Sequence, residues 1–511
     1  MIGDGVSKGQ SGSEPAVMTV AVYGFALLVV TALGAANLYF PFGLDQALIF
    51  HGAKAMDQGA VYYVDFWDNK QPGLYWFYLL AGRAFGFTEF GIHFMELLWM
   101  LAFAGLQMVA LRGAFRQPWL SAVVPVATIG VYYAMSGEYE LTQLEFLVAF
   151  PLFAFVLCLL GAGKHPRRLP LLYFASGLLA GLVVLFKLLL ALLCVALWLV
   201  ALAYLLRGGR QGVVALFLKA VLPASLGVVI VLGGVVLLYQ QWGHLDALLW
   251  TAFVYPPQAL AVAPHASKSR LVTALAFFLS EFAPWAVFAL GGAAVWAWRR
   301  RDLLGALLLT WFLMAIVLFL MQRFSWWQYH TLLGLFPAGV LAVMGIDSLA
   351  AWFAEGTAAG RRRAAGLTHA LVAKAQPLLS TVVMNGYSLR HYQSSPKISE
   401  FYGIARRSVR FLNEPGALPG PIYVLGNPMI YEFSGRPAPH PLIGTAWKFY
   451  LPAQLDDVLA ALDRQKVPYV YLGPYDRRVL RLRPKLVRYL KDRYVLDHAE
   501  SGGRWLRRRD F

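Results

Sequence analysis

Residues able to do chemistry crowd into one early segment. It reads Phe40-Pro-Phe-Gly-Leu-Asp45-Gln, and then Gly59-Ala-Val-Tyr-Tyr-Val-Asp65-Phe-Trp-Asp68-Asn-Lys70-Gln-Pro72-Gly-Leu-Tyr. Asp65, Asp68 and Lys70 fall within six residues, bracketed by aromatics, and Asp45 follows shortly after the first apolar run. A carboxylate can take the proton of an acceptor hydroxyl. Displacing a phosphate-linked leaving group needs cations or dipoles to hold the departing charge. The segment offers both. Solvated loop charges beside interfacial aromatics would give the same composition, so the elements that carry these residues matter.

Four more positions invite attention. Ser136-Gly-Glu138-Tyr-Glu140-Leu-Thr-Gln-Leu-Glu145 is a second acidic stretch between apolar runs. Lys187 ends a long apolar run, where a charge is costly unless it reaches the interface or a partner; snorkelling outward would satisfy it. Gln322-Arg323-Phe-Ser-Trp-Trp-Gln-Tyr329-His330 combines charge with aromatics, as an ordinary aromatic belt with a snorkelling arginine also does. Glu281 is an acid inside an apolar stretch, a functional candidate by default, with Lys268 or Arg270 as partner. The segment 240–270 adds His244, Asp246 and His265. Their spacing matches no regular ligand pattern; a substrate-gating loop is the better reading, and a divalent metal stays open as a cofactor.

The elements around these residues are membrane spans. Hydrophobic residues are 59% of the 511-residue chain and charged residues 14%, with mean hydropathy +0.57, where soluble domains run nearer a quarter charged. Met18–Ala36 and Leu303–Met321 carry no charge, and Pro170–Leu206 carries only Lys187. Such runs reach the roughly 20 residues that cross a hydrocarbon core. Spans are expected near 17–37, 91–111, 119–135, 143–162, 170–186, 188–206, 213–239, 271–297, 303–321, 331–351 and 366–385, about eleven in all. The tightest turn falls at Lys187.

Charge sets their orientation. The net charge of +17 could suggest a nucleic-acid partner, but the cations sit in short clusters between spans: Arg112 and Arg116; Lys164, Arg167 and Arg168; Arg207 and Arg210; Arg299 to Arg301; Arg361 to Arg363. That is the positive-inside pattern. It makes 1–16 a cytoplasmic tail and 17–385 a transmembrane domain. The loop 38–90, the segments 136–142, 240–270 and 322–330, and the chain beyond about 386 then lie outside. The tail leads into a full-length span, so no cleavable signal is expected. Cys158 and Cys194 lie in spans and suggest no disulfide framework. After the last span, 386–511 reads as a small α/β domain. Ile422–Leu425 and Val467–Leu472 resemble buried strands, Gln454–Gln465 an amphipathic helix, and Ser395-Pro396 a helix start. It has no GxGxxG, Walker or Cys/His metal motif, so a lid or structural role is the plain reading.

The Asp just after the first span, the Gly-x-x-Tyr-x-Asp segment and the Lys-x-Pro turn resemble the first periplasmic loop of GT-C glycosyltransferases. The likeness is to bacterial lipid A aminoarabinose and galacturonic acid transferases and to protein O-mannosyltransferases. Many relatives have Lys-Pro-Pro where this chain has Lys70-Gln71-Pro72, and an acidic pair where it has Asp45-Gln46. The resemblance implies an α-helical polytopic fold with a C-terminal extracytoplasmic α/β domain and a polyprenyl-phosphate sugar as donor. It implies Asp45 as base, Lys70 as a phosphate ligand, and Lys187, Arg323 and His330 as further phosphate contacts. Asp65 and Asp68 remain active-site candidates, and Glu138 or Glu145 would be the acid of the second loop.

The expected activity is inverting transfer of a sugar to an extracytoplasmic hydroxyl of lipid A or lipopolysaccharide, another envelope glycan, a glycolipid or a protein. The setting would be the bacterial inner membrane. Two other classes fit the composition: a lipid-linked-sugar transporter or flippase, and a non-catalytic subunit of an envelope polysaccharide system. No inverted repeat or pair of broken helices supports the transporter, whereas Gln46 and Gln71 suit the non-catalytic subunit.

Overall fold

A computed structural model describes residues 16–209, 212–262, 266–297, 301–355, 396–444, 451–474, 480, 483–500 and 503–511. Among these, eight helices are long and apolar enough to cross a membrane: Glu89–Ala114, Pro118–Met135, Leu144–Lys164, Pro166–Phe186, Leu188–Arg207, Val213–Gln241, Leu303–Met321 and Gln328–Ala351. A shorter apolar helix, Thr19–Ala35, and the long helix Lys268–Val295 occupy the other two expected positions within the described residues. The span expected at 366–385 lies outside them. The chain is thus a multi-pass membrane protein.

Local chemistry sets the helix ends. Thr88 accepts the amide of Gly91 at 3.0 Å to open one span, and Asp302 accepts that of Gly305 at 2.8 Å to open another. Pro118–Met135 departs from a plain span: it is stitched from 3-10, α and π turns. The turn expected at Lys187 is a true break. The helix ends at Phe186, Lys187 is extended (φ −159°, ψ 117°), and the next helix starts through a 3-10 turn, Leu188–Leu190.

The first long loop is itself structured. Helices Leu44–Asp57 and Pro72–Phe85 flank a turn in which Tyr62 stacks on Tyr63 with centroids 4.0 Å apart and lies 4.3 Å from Tyr75. Rigid aromatic packing of this kind fixes the acidic segment between the two helices.

Beyond the spans, a four-stranded sheet has the order β1-β2-β4-β3, with β1 Ile422–Leu425, β2 Tyr469–Leu472, β3 Tyr494–Glu500 and β4 Gly503–Arg508. β1 and β2 are parallel, and β4 runs antiparallel to both β2 and β3. Helices Pro396–Ser408 and Pro452–Arg464 lie where the proline starts and apolar periodicity put them. The β3–β4 hairpin was not expected.

The sheet region docks on the first loop. The Trp67 amide donates to the Pro441 carbonyl at 3.0 Å, and Trp67 forms a parallel bridge with Leu442. Glu432 accepts from His51 at 2.7 Å and from Lys54 at 2.5 Å. The Tyr402 hydroxyl donates to Glu89.

Candidate active site

Asp45 occupies the second position of the helix Leu44–Asp57, where the helix dipole favours a carboxylate. Its neighbour Gln46 builds that helix start. Gln46 Oε1 accepts the Gly43 amide at 3.0 Å, and its Nε2 donates to the Leu141 carbonyl at 2.9 Å and to Thr142 Oγ1 at 3.0 Å. The residue is fully buried. A glutamine here ties the first loop to the second, and an ionised acid could not make both donor contacts. Gly43 permits the approach, because a Cβ there would lie 2.3 Å from the Glu138 carbonyl oxygen.

Three charges converge beside this helix start. Lys70 Nζ lies 3.6 Å from Asp45 Oδ1 and 3.1 Å from Asp68 Oδ2. Asp68 is wholly buried; its Oδ2 also accepts the Tyr75 hydroxyl at 2.9 Å, and its Oδ1 the Asn69 amide at 2.9 Å. Burial opposes the charge on Lys70, yet Asp45 and Asp68 outweigh it and hold the ammonium above its ordinary range. The Lys70 carbonyl accepts from both Tyr62 (2.8 Å) and Tyr63 (2.7 Å), which fixes the backbone. Asp45 stays 32% exposed, so of the two carboxylates it is the one a substrate can reach. Its Oδ2 accepts from Tyr329 at 3.1 Å.

A second ionic group adjoins the first through Tyr329 and His330. Lys187 Nζ donates to Glu145 Oε1 at 2.8 Å and to Gln322 Oε1 at 2.5 Å. His330 Nε2 lies 3.8 Å from Glu145 Oε1. Glu145 Oε2 and His330 Nδ1 are buried and find no hydrogen-bond partner among the described residues. Tyr329 lies in the field of Asp45, Glu145 and Asp68 together.

Other expected site residues fall elsewhere. Asp65 is exposed and accepts the Val61 amide at 2.8 Å, closing the turn ahead of the cluster. Arg323 is exposed with its guanidinium 5.2 Å over the Phe324 ring, outside the ion pairs of the cluster. Glu138 is buried where the second loop meets Gly43, and burial pushes its carboxyl up to about 7. Glu140 accepts from Gln328 Nε2 at 2.5 Å and from the Gly137 amide at 2.9 Å. The side chain of Glu281 and the whole of His265 lie outside the described residues. Among the described residues no His, Cys, Asp and Glu side chains group closely enough to hold a metal ion.

Sequence reasoning passed over several supporting residues. Glu96, fully buried, accepts the Tyr132 hydroxyl and the Thr142 amide and so anchors the second loop. Gln322, Tyr329 and Gln71 contact the charged residues or the backbone beside them. For Glu96 a lone acid near the start of an apolar run was the signal available; Gln71 was marked only by its departure from Lys-Pro-Pro, and Gln322 and Tyr329 only as parts of their segment.

No protein-family model and no curated protein matches the chain. Solved structures do. ArnT from Cupriavidus metallidurans bound to undecaprenyl phosphate is similar at TM-score 0.61 and 16% identity, covering 96% of this chain and 98% of that one. Its apo state is similar at TM-score 0.58 and 18% identity, with the same coverage. The oligosaccharyltransferase AglB from Archaeoglobus fulgidus is similar at TM-score 0.49 and 13% identity, over 89% of this chain and 69% of that one. Over nearly the whole length of both chains the fold is that of the ArnT structure, as the GT-C resemblance of the first loop implied.

Proposed function

We propose that the chain is a GT-C glycosyltransferase that moves a sugar from a polyprenyl-phosphate donor to an acceptor hydroxyl outside the cytoplasm. The observation that carries this reading is the convergence of an accessible carboxylate, Asp45, with Lys70, beside a second lysine, Lys187. The undecaprenyl phosphate bound by the ArnT structure supports a lipid-phosphate ligand for the same fold.

In this mechanism Lys70 and Lys187 hold the donor phosphate, and His330 borders it. Asp45 takes the proton from the acceptor hydroxyl. The hydroxyl oxygen forms a bond to the anomeric carbon while the bond from that carbon to the phosphate oxygen breaks. The electron pair leaves on polyprenyl phosphate, whose charge the lysines stabilise. A single displacement inverts the sugar configuration. Asp68 keeps Lys70 charged and in place. Arg323, exposed near the same end of the bundle, is available to the phosphate as the donor enters. The sheet region, docked on the first loop, covers the site and helps select the acceptor: lipid A or another lipopolysaccharide, an envelope glycan, a glycolipid or a protein. The basic loops would face the cytoplasm of a bacterial inner membrane, with the N-terminus inside and the sheet region outside.

The test uses purified full chain in proteoliposomes with a panel of radiolabelled polyprenyl-phosphate sugars and candidate acceptors. Wild type should release polyprenyl phosphate and label an acceptor, and D45N should do both at least about a hundredfold more slowly. Lipid-linked sugar crossing the bilayer with no glycosyl product would point to a transporter instead.

A further inference from the structure

Gln71 lies between the two lysines of the site. Its Oε1 accepts the backbone amide of Leu188 at 3.2 Å. Leu188 directly follows Lys187, at the point where one span has ended and the next has not begun. Amides at such a break have lost helical partners and must be satisfied from outside. Among the described residues, this clamp on Leu188 is the hydrogen bond in which the Gln71 side chain takes part.

The backbone around it is pressed onto the same break. A Cβ at Gly73 would lie 2.6 Å from the Leu185 carbonyl oxygen and 2.7 Å from its carbon, so the start of the helix Pro72–Phe85 sits directly on the last turn before Lys187. On the other side, Tyr62 and Tyr63 both hold the Lys70 carbonyl. Lys70 and Lys187 are far apart in sequence, yet residues 70–73 join their backbones through one short bridge.

We infer that Gln71 is a positioning residue that fixes the spacing of Lys70 and Lys187, so that both ammonium groups meet one lipid-linked phosphate. This rests on the proposed role of the two lysines. Gln71 acts through Lys187: without its oxygen the Leu188 amide loses its partner, the break at 187–188 shifts, and the ammonium that Glu145 and Gln322 hold is carried out of register with Lys70. The substrate feature it serves is the phosphate group, not the sugar.

The experiment is a double-mutant cycle on the full-length protein in detergent, with affinity for undecaprenyl phosphate as the readout. The variants are Q71M, which keeps the length of the side chain and removes the acceptor, K187M, and the pair. Q71M should weaken binding about tenfold, and the pair should bind within about twofold of K187M alone, because the clamp has nothing left to position. Binding by Q71M at the wild-type level, or losses that multiply in the pair, would overturn the inference; a loss of packing alone would multiply. If K187M binds like wild type, the donor-site reading fails and the inference with it, an outcome distinct from the first two. Should Q71M not purify folded, Q71N serves the same cycle, being one methylene too short to reach Leu188.

Discussion

Asp45 and Asp68 are chemically identical, and their surroundings separate their roles. Asp68 is wholly buried against Lys70, Tyr75 and Asn69, whereas Asp45 keeps about a third of its side chain in the open. D45N should therefore lower kcat by about 10²–10⁴-fold, the usual worth of a positioned base, while the chain still folds. Lys70→Met should do something different. It leaves Asp68 buried without its cation, which costs about 3 kcal/mol or more, so K70M should lose both donor affinity and thermal stability; full stability in K70M would contradict the buried ion pair. Glu138 carries a pH signature. Its folded carboxyl is raised from 4.5 to about 7 by burial, so between those values the folded chain holds a proton the unfolded chain has lost. Stability from this group is greatest below about 4.5 and drains as pH rises through 7. E138Q should flatten that part of the curve of melting temperature against pH, and an identical slope would refute the burial.

Legibility in the sequence followed cost. Asp45, Lys70 and Lys187 stood out because charges beside apolar runs are expensive. Gln46 and Gln71 showed only as departures from the pattern of the resembling families, and Gln322 only as part of its segment, since a neutral amide gains its meaning from partners as remote as Leu141 or Leu188. Asp65 resembled Asp68 in sequence, and only the turn geometry shows that it holds the Val61 amide.

Among elements, the helix Leu44–Asp57 links site and sheet. It starts at Asp45 and presents His51 and Lys54 to Glu432 on the short helix Met429–Ser434. Burial alone would raise the Glu432 carboxyl, but hydrogen bonds from His51 and Lys54 bring it below its ordinary 4.5. The stabilisation is full above about 4.5 and is lost as pH falls through the lowered value. Hydrogen exchange over residues 429–434, corrected for intrinsic rates, should be faster in E432Q than in wild type at pH 7, and the two should converge in strong acid. Equal exchange at pH 7 would show that the latch does not hold the sheet region. The main spans were readable from apolar length, and β1 and β2 from buried apolar runs. The β3–β4 hairpin was not, because Asp497, Arg504 and Arg507 interrupt any apolar alternation; the hairpin is held by backbone pairing to β2 and by the Arg507–Asp497 ion pair at 2.9 Å.

At the scale of the molecule, the exposed Arg167 and Arg168 join Leu144–Lys164 to Pro166–Phe186 at the ends opposite Glu145 and Lys187. Arg167 is exposed between two spans at the basic end, and Lys466 is exposed on the sheet region. A membrane-impermeant maleimide applied to intact spheroplasts should label K466C and spare R167C, since Cys158 and Cys194 sit within the spans. The reverse pattern would invert the topology and put the site in the cytoplasm.

The most direct measurement is a structure of the full chain with undecaprenyl phosphate. The phosphate should lie within hydrogen-bond reach of both Lys70 and Lys187, with Asp45 open beside it for an acceptor hydroxyl. A phosphate held at Arg323 or Arg270 instead, with the Asp45–Lys70–Asp68 group undisturbed, would contradict the assignment of this cluster as the donor site.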